Sequence, residues 1–150
     1  MALLSDANRK ELGEIFEQDL VGDVKVSFFT QGSGLIVIPG RECPTCKETG
    51  ELMEEVTSLS DKLELTVHDV YADQEAASSA GIDRVPAIVL EGEAKGKVRY
   101  FGIPGGSEFP AFVADIVDVS KGTTSLSDDS RKSLESLSKD VHVQVFVTPT

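Results

Sequence analysis

Apolar positions recur at helical spacing at the start of the chain. Leu12, Ile15, Phe16 and Leu20 share one face of a segment over residues 3–20, with Ser5 or Asp6 as its cap. Residues 24–30 (VKVSFFT) are β-rich and apolar enough for a buried strand. Gly32, Gly34, Pro39 and Gly40 enclose Leu35, Ile36, Val37 and Ile38, which reads as a flap with an apolar tip or as a short strand. Helical spacing returns over residues 44–59 through Cys46, Leu52, Met53, Val56 and Leu59. Residues 63–71 alternate Leu63, Leu65 and Val67 with Glu64, Thr66 and His68, predicting a half-exposed strand. An Ala-rich helix over 74–80 stops at Gly81. A strand over 85–90 turns into another over 97–102. A last helix over 107–119 carries the wide stripe Phe109, Phe112, Val113, Ile116 and Val117. The pattern is a helix followed by β-α-β-α-β-β-α. It predicts an α/β domain with a parallel first strand pair and an antiparallel hairpin.

Residues 121–126 (KGTTSL) read as a linker, and the residues after it repeat the beginning of the chain. Ser127-Asp128-Asp129-Ser130-Arg131-Lys132-Ser133-Leu134 sets against Ser5-Asp6-Ala7-Asn8-Arg9-Lys10-Glu11-Leu12. With five residues deleted, 140–146 sets against 23–29. The expected organisation is therefore a module over 1–120 and, over 127–150, the helix and first strand of a second module. Val141, Val143, Val145 and Val147 alternate onto one face that needs covering. Residues 141–147 are expected to pair with an open edge at 63–71 or 97–102, in the same chain or in a neighbour.

The net charge of −12 opposes binding to a phosphate backbone or an anionic membrane, so neither nucleic acid nor membrane is an expected partner. No apolar run approaches the ~18–20 residues a bilayer span needs. The first ten residues lack the pattern of a signal peptide. Two cysteines in 150 residues exclude a multi-disulfide scaffold. A cytoplasmic location is expected.

Those two are Cys43 and Cys46, in Cys43-Pro44-Thr45-Cys46 between a loop and a helix start. At a helix N-terminus the unpaired N–H groups and the dipole favour a thiolate. Cys43 would then be the exposed nucleophile, and Cys46, one turn inside, would resolve the mixed disulfide. Pro44 suits a first helical position. Arg41 and Lys47 favour the thiolate and Glu42 opposes it. Three readings stand at this point: a redox pair, half of a zinc site completed by His68 and His142, or an inert pair. Closing a four-residue loop constrains little chain entropy, on the order of 2 kcal/mol, which disfavours a purely structural disulfide. Val85-Pro86 opens the third strand and is read with either proline isomer. Asp69 and Asp73 suit caps of the following helix or a proton relay to the cysteines. Gly105-Gly106 reads as a plain turn, or as N–H donors for glutathione that Glu108 would oppose.

The element order, the C-x-x-C at a helix start and Val85-Pro86 together resemble the thioredoxin/glutaredoxin superfamily. More narrowly, the chain is similar to the N-terminal module of tandem protein disulfide oxidoreductases, glutaredoxin-like proteins built of two thioredoxin folds. Ile82-Asp83-Arg84-Val85-Pro86-Ala87, Val98-Arg99-Tyr100-Phe101-Gly102-Ile103-Pro104-Gly105-Gly106 and Val145-Phe146-Val147-Thr148-Pro149-Thr150 carry the likeness. It implies a sheet of order 2-1-3-4, a cis Pro86 facing the cysteines, and a Val85 backbone that pairs with a bound peptide beside Pro44 and Thr45. It also implies a redox-active Cys43–Cys46 disulfide with no further cofactor and no metal, and a second C-x-x-C beyond Thr150. The implied partners are protein disulfides or dithiols and an upstream reductase. The runner-up is an electron relay to one peroxiredoxin, like the N-terminal part of alkyl hydroperoxide reductase flavoproteins. A third reading is a thiol-regulated binding protein that engages a partner through its flap. The 35–38 run and the terminal strand each offer a homodimer contact.

Overall fold

The computed structural model describes residues 3–32 and 42–146. The expected flap, Leu35 to Ile38, lies outside them, as does Val147. Helix α1 (Asp6–Asp19) begins on Ser5, whose Oγ accepts the Asn8 N–H at 3.2 Å. Strand β1 (Val24–Thr30) follows, then α2 (Cys46–Thr57), β2 (Leu63–Asp69), α3 (Gln74–Ala80), β3 (Ala87–Glu91) and β4 (Val98–Phe101). After a 3-10 turn over Gly106–Glu108 come α4 (Phe109–Lys121) and α5 (Asp128–Glu135). Gly81 ends α3 at φ 71° and Gly122 ends α4 at φ 64°, left-handed positions that a side chain would strain.

Among the described residues there is one sheet, of order β2-β1-β3-β4, with β1 parallel to β2 and antiparallel to β3. This is the mixed α/β architecture and strand order expected. The two faces of β1 divide the core. Val24, Val26 and Phe28 join Leu52, Met53 and Val56 of α2 and Phe112 and Ile116 of α4. Phe29 instead joins Ala77 and Ala80 of α3. Leu12, Phe16 and Leu20 bring α1 into the larger cluster.

Two polar clasps close this body. Fully buried Ser120 donates to the Gly22 carbonyl at 2.6 Å and accepts the Val21 N–H at 2.9 Å, tying α4 to the start of β1. Glu55 of α2 accepts the N–H groups of Leu3 and Leu4 at 2.7 and 3.1 Å and faces Arg9 Nη1 at 3.2 Å.

The terminal expectation is corrected for pairing within the same chain, while its other form, pairing with a neighbouring chain, stands as an expectation. Residues 141–146 form no strand and pair with neither β2 nor β4; Val143 is 74% and Phe146 88% exposed. High β-propensity is not enough, because a strand is stabilised by the ladder and by what covers its apolar face. The helix expected before it is present as α5 and buries no residue.

The two backbone N–H groups, with Arg9 behind them, hold the Glu55 carboxyl below its ordinary value of 4.5. A depressed native pKa contributes stability that is complete above the unfolded value and is lost as pH falls through the native one. The stability difference between the wild type and Glu55→Gln is therefore expected to stay constant from pH 7 to about pH 5.5 and to shrink below pH ~4.5. Urea midpoints across that range check it.

Candidate active site

Cys43 and Cys46 are joined as a disulfide with their Cα atoms 5.4 Å apart. The Cys46 N–H meets the Cys43 carbonyl at 3.3 Å, so residues 43–46 make a tight turn before the helix ladder starts with Thr49 N–H on the Thr45 carbonyl at 2.8 Å. That turn corrects the expected helix start. Thr45 is the cap, Cys46 is the first helical residue rather than one turn inside, and Pro44 lies in the turn. The chemical consequence is kept. Cys43 precedes the N-terminus of α2, where the first-turn N–H groups and the positive end of the helix dipole favour negative charge. Cys46 is only 6% exposed, whereas Cys43 is half-buried.

Below the pair the helix lies close on the sheet. A Cβ built on Gly50 would approach the Phe28 ring at 3.1 Å, tighter than ordinary contact, so a glycine lets α2 seat there. Thr49, fully buried, returns its hydroxyl to the Thr45 carbonyl at 2.7 Å and so adds no unpaired polar group beneath the sulfurs.

A hollow beside the disulfide is lined by Phe28, Gly32, Cys43, Cys46 and Val67 and bordered by Asp69 and Asp73. Neither aspartate caps α3 with its side chain, as the sequence suggested. Asp69 accepts the Tyr71 N–H at 2.9 Å in a local turn and sits where a Cβ on Gly32 would run into it. Asp73 occupies the cap position without a capping bond and faces His68 Nδ1 at 3.3 Å. Lys47 is drawn into a pair with Glu51 at 3.7 Å.

His68 stacks on Phe29 at 4.8 Å, on the face of the sheet that carries α3, while α2 packs on the other. His68 is therefore not brought to the cysteine pair. The tie to Phe29 was not visible in the sequence, where His68 fell on the polar side of an alternating strand.

Val85-Pro86 is a cis bond. Pro86 is buried, its carbonyl accepts the Gly102 N–H at 2.9 Å, and Val85 packs on the Phe29 cluster. The register Phe29–Ala87 puts Pro86 at the C-terminal end of β1, the end from which the chain leads to Cys43. Pro86 is not among the residues lining the hollow, so cysteines and proline share one end of the sheet while the hollow opens toward β2. At Gly105-Gly106 the turn reading holds, with Gly106 at φ 57°. Glu108 accepts the Tyr100 hydroxyl at 2.9 Å. Burial first, and that carboxylate second, push the tyrosine up to about 12.

A disulfide closing the turn that enters the helix after a central strand, with a cis-proline beside the same strand end, defines the thioredoxin class of site. The chain belongs to the thioredoxin domain family, whose profile it matches over residues 35–114. A protein described as "Probable Thioredoxin" in Methanothermobacter marburgensis is 29% identical over 96 residues, covering 63% of this chain and 98% of that one. A protein disulfide oxidoreductase from Aeropyrum pernix superposes with a TM-score of 0.73 at 31% identity, over 89% of this chain and 55% of that one. The NTD N/C domain of alkylhydroperoxide reductase AhpF from Enterococcus faecalis shares the fold, with a TM-score of 0.73 at 22% identity over 91% of this chain and 62% of that one. The chain thus spans a little over half the length of the two structures it superposes on.

Two glycines in helices test how the site is seated. Gly13 in α1 has nothing within 4 Å of a built Cβ, so Gly13→Ala is expected to stabilise by about 0.5–1 kcal/mol through helix propensity alone. Gly50→Val should destabilise by about 1–2 kcal/mol, because the ring of Phe28 has to give way. Thermal melts of the two variants read the opposite signs.

Proposed function

We propose that the chain is a thiol–disulfide oxidoreductase that reduces, forms or exchanges protein disulfides through Cys43 and Cys46. The observation that carries this is the unequal pair at the α2 N-terminus, one cysteine half-buried and one buried. In the reductive direction the Cys43 thiolate attacks one sulfur of a partner disulfide, forming a mixed disulfide and expelling the partner's other sulfur as a thiolate. Cys46, as thiolate, then attacks the Cys43 sulfur. The mixed bond breaks, the second partner sulfur leaves, and the Cys43–Cys46 disulfide closes. Two electrons pass to the partner, whose thiolates take up two protons. An upstream reductase restores the dithiol, and a reducing compartment such as the cytoplasm suits that supply.

Val85 and Pro86 form the substrate ledge, with Pro44 and Thr45 opposite. Among the described residues the Val85 backbone meets no hydrogen-bond partner, which leaves it able to pair with an extended peptide. Residues 127–150 are read as the opening of a second module. The support is that α5 begins on Ser127, whose Oγ accepts the Ser130 N–H at 3.2 Å, the same cap at the repeat position of Ser5. A dedicated relay to a peroxiredoxin is the second reading, and the AhpF likeness contributes only the fold to it.

Insulin reduction with dithiothreitol tests the chemistry. Cys43→Ser is expected to fall to the uncatalysed rate, and a variant matching the wild type would overturn the nucleophile assignment. Cys46→Ser should accumulate mixed disulfides, many different ones for a general reductase and one for a dedicated relay.

A further inference from the structure

Strand register brings a second pair of side chains to the reacting end of the sheet. Ala87 lies opposite Phe29 on one side and Phe101 on the other, so Phe101 ends β4 beside Pro86. Arg84, one residue before Val85, places its Cζ 5.2 Å over the centre of the Phe101 ring. Its Nε and Nη2 donate to Oδ1 and Oδ2 of Asp83 at 2.9 and 3.1 Å. Arg84 is 69% exposed, yet it is held from two sides, with three of its five N–H donors left open.

We infer that Arg84 is a specificity-determining residue, selecting protein substrates that carry an acidic side chain within two residues of the reacting cysteine. The inference rests on the disulfide-exchange reading above. A partner strand lying along Val85 advances about 3.3 Å per residue, so such a carboxylate arrives within one side chain's length of the guanidinium. The planar fork matches a carboxylate in a two-bond geometry that an ammonium cannot reproduce. Among the described residues the opposite flank offers no guanidinium: Lys47 carries an ammonium there, and Asp69 and Asp73 border the hollow. The chain's charge of −12 repels acidic proteins at long range, so Arg84 discriminates at contact and not during approach.

The test uses the reduced chain and two peptides, alike except for Glu or Lys two residues from a cysteine capped as its 2-pyridyl disulfide. Attack of the Cys43 thiolate on the peptide sulfur forms the mixed disulfide and releases pyridine-2-thione, which is followed by its absorbance. Each rate is divided by that of free dithiothreitol with the same peptide. The Glu peptide is expected to react about fivefold faster than the Lys peptide. Arg84→Ala should cut that preference to less than twofold, and Arg84→Lys should keep only part of it. With uncharged 2,2′-dithiodipyridine all three proteins should react alike. A wild type without preference, or a preference that survives Arg84→Ala, would overturn the role of Arg84. No reaction with 2,2′-dithiodipyridine would overturn the exchange chemistry and this role with it.

Discussion

Everything at the reacting end hangs on β1 being enclosed. It is bonded along both edges, to β2 and to β3, and its two faces are sealed by Phe28 beneath α2 and Phe29 beneath α3. A strand held on all four sides cannot slide, because a one-residue slip would exchange the two phenylalanines between faces. Its end is therefore a fixed point. The chain runs on from it toward Cys43, and the register with β3 delivers Pro86 to the same end. Pro86, 40 residues after Cys46 in the chain, comes to this end through its register with β1, and α2 is seated on the same strand where Gly50 meets Phe28.

The chemistry then arises from what each side contributes. The helix brings its positive end, the turn at 43–46 leaves Cys43 half-buried and Cys46 buried, and Phe28 lines the hollow beside them. The surrounding charge is uneven. Carboxylates border the β2 flank, whereas the β4 flank carries the Arg84–Asp83 pair, its guanidinium stacked on a ring.

Much of this was legible in the residues. Strand β1 and helix α3 fall where their patterns place them, since a buried apolar run and a glycine stop are local signals. The cysteine pair was legible because the spacing and its position before an apolar helical stripe are themselves the chemistry. The strand order and the cis-proline were reachable only through family likeness. Other features had no local signal. The first residue of α2 was displaced by a turn that the Cys46 N–H closes on the Cys43 carbonyl. Asp73 had the cap position but turned to His68, and His68 had a polar position but lay on Phe29, a neighbour 39 residues earlier. Within this one chain, residues 141–146 show the reverse case. Their alternation is as good as that of β2, but alternation describes how a strand would face a sheet and does not supply one.

The exposure of the chain after Gly122 also bears on calorimetry. Residues 123–146 include no buried residue, and Leu126, Leu134 and Leu137 keep about half their surface exposed. They bury little apolar surface, so they have little to release on melting. Heat-capacity change scales with the surface newly hydrated, at about 12–15 cal/mol/K per folded residue. A scan of this chain therefore weighs the body from α1 to α4 and omits on the order of 0.3 kcal/mol/K that its length alone would suggest. By its thermodynamic size the protein is smaller than its sequence.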